Sequence, residues 1–184
     1  MICIIDCGTE WLQEIKDNLT NLDHKFNVVK LDEIENSDFE SFSGIVISGA
    51  PTLLTQVNQK EYLDRFSFLK SIKIPVLGIC LGHQIMGLLH GSNIQAEKMI
   101  DKMEQIEILK ENDLFNGIQN LAEFREEHSE FISLPNNFIL LAKSESCDNE
   151  SMKHKDKNLF GVQFHPEVSG DNGKQLFNNF LKLC

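Results

Sequence analysis

The sequence predicts an α/β fold: an open, mostly parallel sheet with helices on both faces and a small antiparallel β extension. Three observations carry this expectation. Apolar, β-prone runs alternate with segments of helical periodicity through the first half of the chain. Those runs lack polar/apolar alternation, as strands buried on both faces do. The 184 residues, 41% hydrophobic and 24% charged, suit one domain spanning 1–184 with a sizeable core.

Met1 to Asp6 reads as a buried strand ending near Gly8. Trp11, Leu12, Ile15 and Leu19 recur at helical spacing, so a helix follows. Phe26 to Leu31 is a second strand. Gly44 to Ser48 is a third, closed by Gly49-Ala50-Pro51. Tyr62, Phe66 and Leu69 mark a second helix. Ile74 to Ile79 is a fourth strand, and a third helix runs from Gly82 to Leu89. From Asn93 to about Phe164 helical periodicity fades. Short strand-like runs near Gln105–Leu109, Phe138–Ala142 and Leu159–Phe164 predict a largely antiparallel insert. Phe177, Phe180 and Leu181 predict a final helix after Gly170–Gly173.

The formal net charge of −11 argues against nucleic acid, which needs a basic face to displace counterions. It suits solubility or docking on a basic partner. No apolar run is long enough to span a bilayer, and the N-terminus lacks a signal-peptide pattern. A cytoplasmic location is expected. Cys3, Cys7, Cys80, Cys147 and Cys184 are odd in number and read as reduced thiols. Cys3 and Cys7 have no second pair to complete a zinc site, so no metal is expected. The glycines form neither G-x-G-x-x-G nor a P-loop, so no nucleotide cofactor is expected in this chain.

The chemistry concentrates in "GICLGHQ". Gly78-x-Cys80-x-Gly82 has the spacing of a nucleophile elbow with sulfur in place of oxygen. Small flanking residues permit the tight strand-to-helix turn. The helix N-terminus that follows favours thiolate, and its N–H groups can hold an oxyanion. A small buried cysteine at a strand end is the alternative reading. The base is found in "LFGVQFHPE": His165 follows an apolar strand, Pro166 stiffens the turn, and Glu167 is close enough to orient the imidazole.

"GICLGHQ" together with "GVQFHPE" resembles the class I (triad) glutamine amidotransferases. "ISGAP", the elbow, "HSE" and "HPE" occur in the family's order over nearly the whole chain. The resemblance implies glutamine hydrolysis through a γ-glutamyl thioester. Cys80 would be nucleophile, His165 base and then acid, and Glu167 the orienting carboxylate. It further implies an oxyanion hole at the N–H groups of Ala50 and Leu81. Gly49, Gln84, His128, Ser129 and Glu130 would contact substrate, the last three mostly through backbone. Ala50 departs from the family's usual second glycine. It still supplies an N–H but resists positive φ.

The ending "GKQLFNNFLKLC", the stretch "AKSESCDN" and Val168 after Glu167 resemble the glutaminase branch of the GMP synthases. The implied partner is a separate ATP-pyrophosphatase synthetase subunit, which would carry ATP and magnesium. Three competing readings are a stand-alone γ-glutamyl hydrolase, a non-catalytic flavodoxin-like module, and a glutaminase subunit of the anthranilate or aminodeoxychorismate type.

Overall fold

The computed structural model describes residues Met1–Cys184. Its strands are β1 (Ile2–Asp6), β2 (Phe26–Lys30), β3 (Gly44–Ile47), β4 (Val76–Ile79), β5 (Ile94–Ile108), β6 (Ala122–Ile132), β7 (Phe138–Lys143), β8 (Ser151–His154) and β9 (Leu159–Val162). Its helices are α1 (Leu12–Asn21), α2 (Gln59–Asp64), α3 (Leu81–Leu89) and α4 (Gly170–Leu181). One nine-stranded sheet runs in the order β2-β1-β3-β4-β9-β8-β7-β5-β6. The strands from β2 to β9 along that order pair in parallel. From β9 to β6 every pairing is antiparallel. The parallel half thus carries helices, and the antiparallel half extends it past β9.

Side-chain alternation along β1 explains the layers. Ile2 and Ile4 point into one core with α1 and α4, through Ile15, Leu19, Phe177 and Phe180. Cys3 and Ile5 point into the other with α3, through Leu81, Ile85 and Met86. A strand with a core on each face has no solvent side, hence the unbroken apolar run.

Several expectations need correction. Leu159–Val162 is not part of an antiparallel insert alone: it lies in the parallel sheet beside β4 and pairs antiparallel only with β8. Every residue of it is buried, the pattern of a strand covered on both faces. The long β5–β6 hairpin is signalled in the sequence only at Gln105–Leu109. Most of β5 is exposed on both faces, so no periodicity marks it. Tyr62, Phe66 and Leu69 do not share one helix: α2 ends at Asp64 and a separate 3-10 turn covers Ser67–Lys70. The last helix starts at Gly170, not after Gly173. Gly173 lies inside its first turn, where a Cβ would fall 1.7 Å from the Pro166 carbonyl oxygen.

Candidate active site

In an open α/β sheet the carboxyl ends of the parallel strands face the binding crevice. β4 ends at Ile79 and β9 at Val162, and these two residues are register partners. The chain leaving β4 therefore starts next to the chain leaving β9. Cys80 opens α3 with φ 47° and ψ −102°, a strained conformation for a residue with a Cβ. Its N–H donates to Val162 O at 2.8 Å. The flanking glycines are required sterically. A Cβ on Gly78 would meet the Gly82 carbonyl at 2.6 Å, and one on Gly82 would meet Ile47 O at 2.7 Å. The expected tight turn is thus present, with Cys80 at its apex.

His165 is reached three residues past β9. Its backbone N–H donates to Arg125 O of β6 at 2.8 Å, and Ser169 Oγ donates to its carbonyl at 2.6 Å. Its Nδ1 lies 2.9 Å from Glu167 Oε1. With Nδ1 committed there, Nε2 is the ring nitrogen available to the sulfur. Burial pushes the imidazole toward the neutral form. Negative charge on the Cys80 sulfur and the Glu167 carboxylate opposes this and holds the ring well above its ordinary range. Gly49 sits against both groups: a Cβ there would be 3.0 Å from His165 Cε1 and 3.4 Å from Cys80 Cβ.

A cavity of about 250 Å³ opens above these residues. Cys80, His165, Ala50, Gln84, His128, Ser129 and Glu130 all line it. Gly49 packs behind the wall rather than on it. Leu81 is buried as the first residue of α3, where a helix leaves its N–H without an intrahelical acceptor. Ala50 is absent from the residues with positive φ, so it carries none of the strain that its replacement of glycine raised. Gln84 Nε2 donates to Glu130 O at 2.9 Å and to Gln163 Oε1 at 3.2 Å. The Glu130 carboxylate accepts from the N–H groups of Leu54 and Thr55 at 2.7 and 2.9 Å. It anchors the loop after Ala50, while the Glu130 carbonyl is taken by Gln84. His128 packs edge-on against Phe131, with ring centroids 4.6 Å apart, and burial holds it below its ordinary pKa.

Cys80 is not the exposed thiol of the chain. It is 6% exposed, and Cys184 is more accessible. What separates Cys80 is its imidazole neighbour and the cavity. Burial pushes Cys3, Cys7 and Cys184 each up to about 12 and raises Cys147 further.

Two groups of the site carry little signal in the sequence. Trp11 stands edge-on over His165, with centroids 4.4 Å apart, although its spacing marks it as the first apolar residue of α1. Gln163 Nε2 donates to Cys80 Sγ at 3.5 Å. Its only signal is a polar residue inside an apolar strand end.

An elbow cysteine after one parallel strand, paired with a His–Glu couple after its neighbour, defines a class of glutamine-processing enzymes. The chain belongs to it: residues 3–184 match the family described as Glutamine amidotransferase class-I. Among its relatives is the glutamine-hydrolyzing subunit of GMP synthase from Methanosphaera stadtmanae, 41% identical over 162 residues, covering 86% of this chain and 82% of the relative. The protein of the same name from Pyrococcus abyssi is 35% identical over 188 residues, covering 100% and 98%. A crystal structure described as a GMP synthase subunit from Thermoplasma acidophilum superposes with a TM-score of 0.89 at 26% identity, covering 100% of this chain and 92% of that one. A glutamine amidotransferase from Thermotoga maritima shares the fold, with a TM-score of 0.82 at 18% identity over 98% and 96% of the two chains.

Proposed function

We propose that this chain hydrolyses glutamine and passes the ammonia to a synthetase subunit that makes GMP from xanthosine monophosphate. The observation that supports the chemistry most directly is the Cys80–His165–Glu167 arrangement, with Nδ1 of His165 2.9 Å from Glu167 and Cys80 in a strained elbow.

The thiolate of Cys80 attacks the side-chain amide carbon of glutamine. The oxygen that becomes negative is held by the N–H groups of Ala50 and Leu81. The imidazolium of His165 donates its Nε2 proton to the leaving nitrogen, so ammonia departs and a γ-glutamyl thioester remains. Neutral His165 then takes a proton from water. The resulting hydroxide attacks the thioester, and glutamate and thiolate are released with the imidazolium restored. Glu167 fixes the tautomer and balances the positive ring throughout. Trp11 and the Gln163 amide hold the imidazole and sulfur against rotation. No cofactor is needed for these steps. ATP and magnesium belong to the partner's activation of its acceptor.

The synthetase branch is supported by relatives named as glutamine-hydrolyzing GMP synthase subunits, which span essentially the whole chain. The partner would be an ATP-pyrophosphatase subunit docked at the cavity mouth, shielding ammonia from protonation. Steady-state ammonia release tests the reading: low for the isolated chain, rising when the partner is loaded with ATP and xanthosine monophosphate. Full activity alone, unchanged by the partner, would favour a stand-alone γ-glutamyl hydrolase.

A further inference from the structure

Behind the cavity wall, β6 carries a buried acidic side chain with no evident counterion. Glu126 and Glu150 are both 0% exposed, and His128 is 4% exposed. Donor atoms of the three lie within 4.8 Å of one another, and the two carboxyl groups face each other. Neither Glu126 oxygen has a hydrogen-bond donor, and Glu150 Oε2 has none. Ser144 Oγ donates to Glu150 Oε1 at 2.6 Å. His128 Nε2 lies 3.1 Å from Glu126 Oε2 without the alignment of a hydrogen bond.

The surroundings supply no free cation. From β5 come Glu104 and Lys102, which pair with each other at 3.1 Å. From the loop between β7 and β8 comes Cys147, besides Glu150 itself. From α3 comes His83, fully buried and held neutral by burial, with the charge of His128 a smaller push the same way. His165 acts from beyond β9 but is committed to Cys80 and Glu167. Two ionised carboxylates enclosed here would cost far more than one proton shared between them. A shared proton also engages two of the three unpartnered oxygens, one as donor and one as acceptor.

The position of this pair in the strand matters. Residue 126 sits between two contacts of the reacting groups. Arg125 O accepts the backbone N–H of His165 at 2.8 Å, and Glu127 O faces Cys80 Sγ at 3.9 Å. Arg125 N donates to Ser169 Oγ at 2.9 Å, which closes the loop around His165. Residues 125 and 127 adjoin Glu126 directly in the chain, so what fixes Glu126 in the core also fixes the flanking carbonyls that meet His165 and Cys80.

We propose that Glu126 and Glu150 are a positioning pair that shares one proton and so fixes the Arg125–Glu127 segment of β6, which sets His165 against Cys80. The inference rests on the Cys80–His165 reading for its effect on rate, but not for the shared proton. Loss of that proton places two charges in a sealed site and drives one carboxylate, with its strand, out of register. Burial is the largest cause that raises both Glu126 and Glu150 above the ordinary carboxylate range, and the charge of Glu126 raises Glu150 further, so the shared proton is lost, and with it the register, only on the alkaline side.

Three measurements test it. Infrared spectroscopy of the wild-type chain at pH 7 is expected to show a protonated carboxyl band that weakens as the pH is made alkaline and is absent when Glu126 and Glu150 are both replaced by Gln. Thermal unfolding supplies a second reading. The folded pKa of Glu126 is raised above its ordinary 4.5. Its proton-linked stability is therefore full below about pH 4.5 and lost as pH rises to about 8. Glu126→Gln reduces that dependence to the part carried by Glu150. The third reading is the pH profile of Cys80 alkylation by a glutamine-derived chloromethyl ketone. The wild-type rate falls roughly tenfold per pH unit on the alkaline side. In Glu126→Gln, and independently in Glu150→Gln, that limb moves to higher pH while the neutral-pH rate is kept.

Superimposable alkaline limbs for wild type and both variants, with no protonated carboxyl band, would overturn the proposal. So would a stoichiometric divalent ion in the purified chain, or stabilisation by Zn²⁺ or Mn²⁺ alone that Glu126→Gln abolishes, since the cluster would then be a metal site. If no variant alkylates at Cys80 while the band and the stability dependence hold, the triad reading has failed and the shared proton stands.

Discussion

His165 experiences opposing pressures that a single substitution separates. Burial alone would lower its pKa, and the charge of Cys80 together with that of Glu167 reverses the outcome. Cys80→Ala is therefore expected to drop the His165 pKa by removing the first of those charges, read by NMR titration of the imidazole. An unchanged titration would mean that the sulfur and ring do not interact in solution. The thiols give a companion prediction. A glutamine-like electrophile should label Cys80 ahead of the more accessible Cys184, because Cys184 is held near 12 by burial and reaction requires thiolate. Peptide mapping by mass spectrometry decides this, and even labelling of the five thiols would contradict it.

At the scale of elements, the site depends on close backbone approaches that only glycine allows. The turn carrying Glu167, Pro166–Val168, packs on the first turn of α4 where Gly173 has no room for a side chain. Gly173→Ala should displace that turn, destabilising the fold by about 1–3 kcal/mol through overpacking. It should also lower kcat more than it raises KM, because Glu167 leaves Nδ1 of His165. Denaturant unfolding together with glutaminase kinetics measures both effects. Full kcat in this variant would show that the turn can shift without moving Glu167. The buried ring of Phe164, one residue before His165, packs tilted against Phe124 of β6, with centroids 4.2 Å apart. The antiparallel half thus reaches the site through β6, whose Arg125 carbonyl accepts the backbone N–H of His165.

For the whole molecule, charge and shape both bear on the partner. The net charge of −11 favours a basic docking face, and stimulation by a partner subunit should therefore weaken as salt screens it. The β5–β6 hairpin projects beside the cavity and exposes Met99 and Met103, the latter at 47%. Flexible apolar side chains of this kind suit an adaptable interface. Met103→Glu is expected to reduce the partner's stimulation severalfold while leaving basal ammonia release unchanged, as Met103 is outside the cavity lining. Equal stimulation of both proteins, measured at matched partner concentrations, would move the interface elsewhere.

Local pattern alone made much of this legible. Uninterrupted apolar runs revealed strands with two buried faces. The spacing Gly78-x-Cys80-x-Gly82 revealed a turn that tolerates no Cβ at its flanks. His165-Pro166-Glu167 revealed an imidazole and a carboxylate that meet, because two residues of separation suffice for contact. Strand order was not legible, because periodicity records which side of a strand is buried and not which strand lies beside it. The placement of β9 against β4, which brings His165 to Cys80, is a property of the folded sheet. So are the Trp11 edge over His165 and the Gln163 amide on the sulfur. The meeting of Glu126 with Glu150 is of the same kind: each looks like a surface acid in the sequence, and only the packed sheet removes both from water and leaves them to each other.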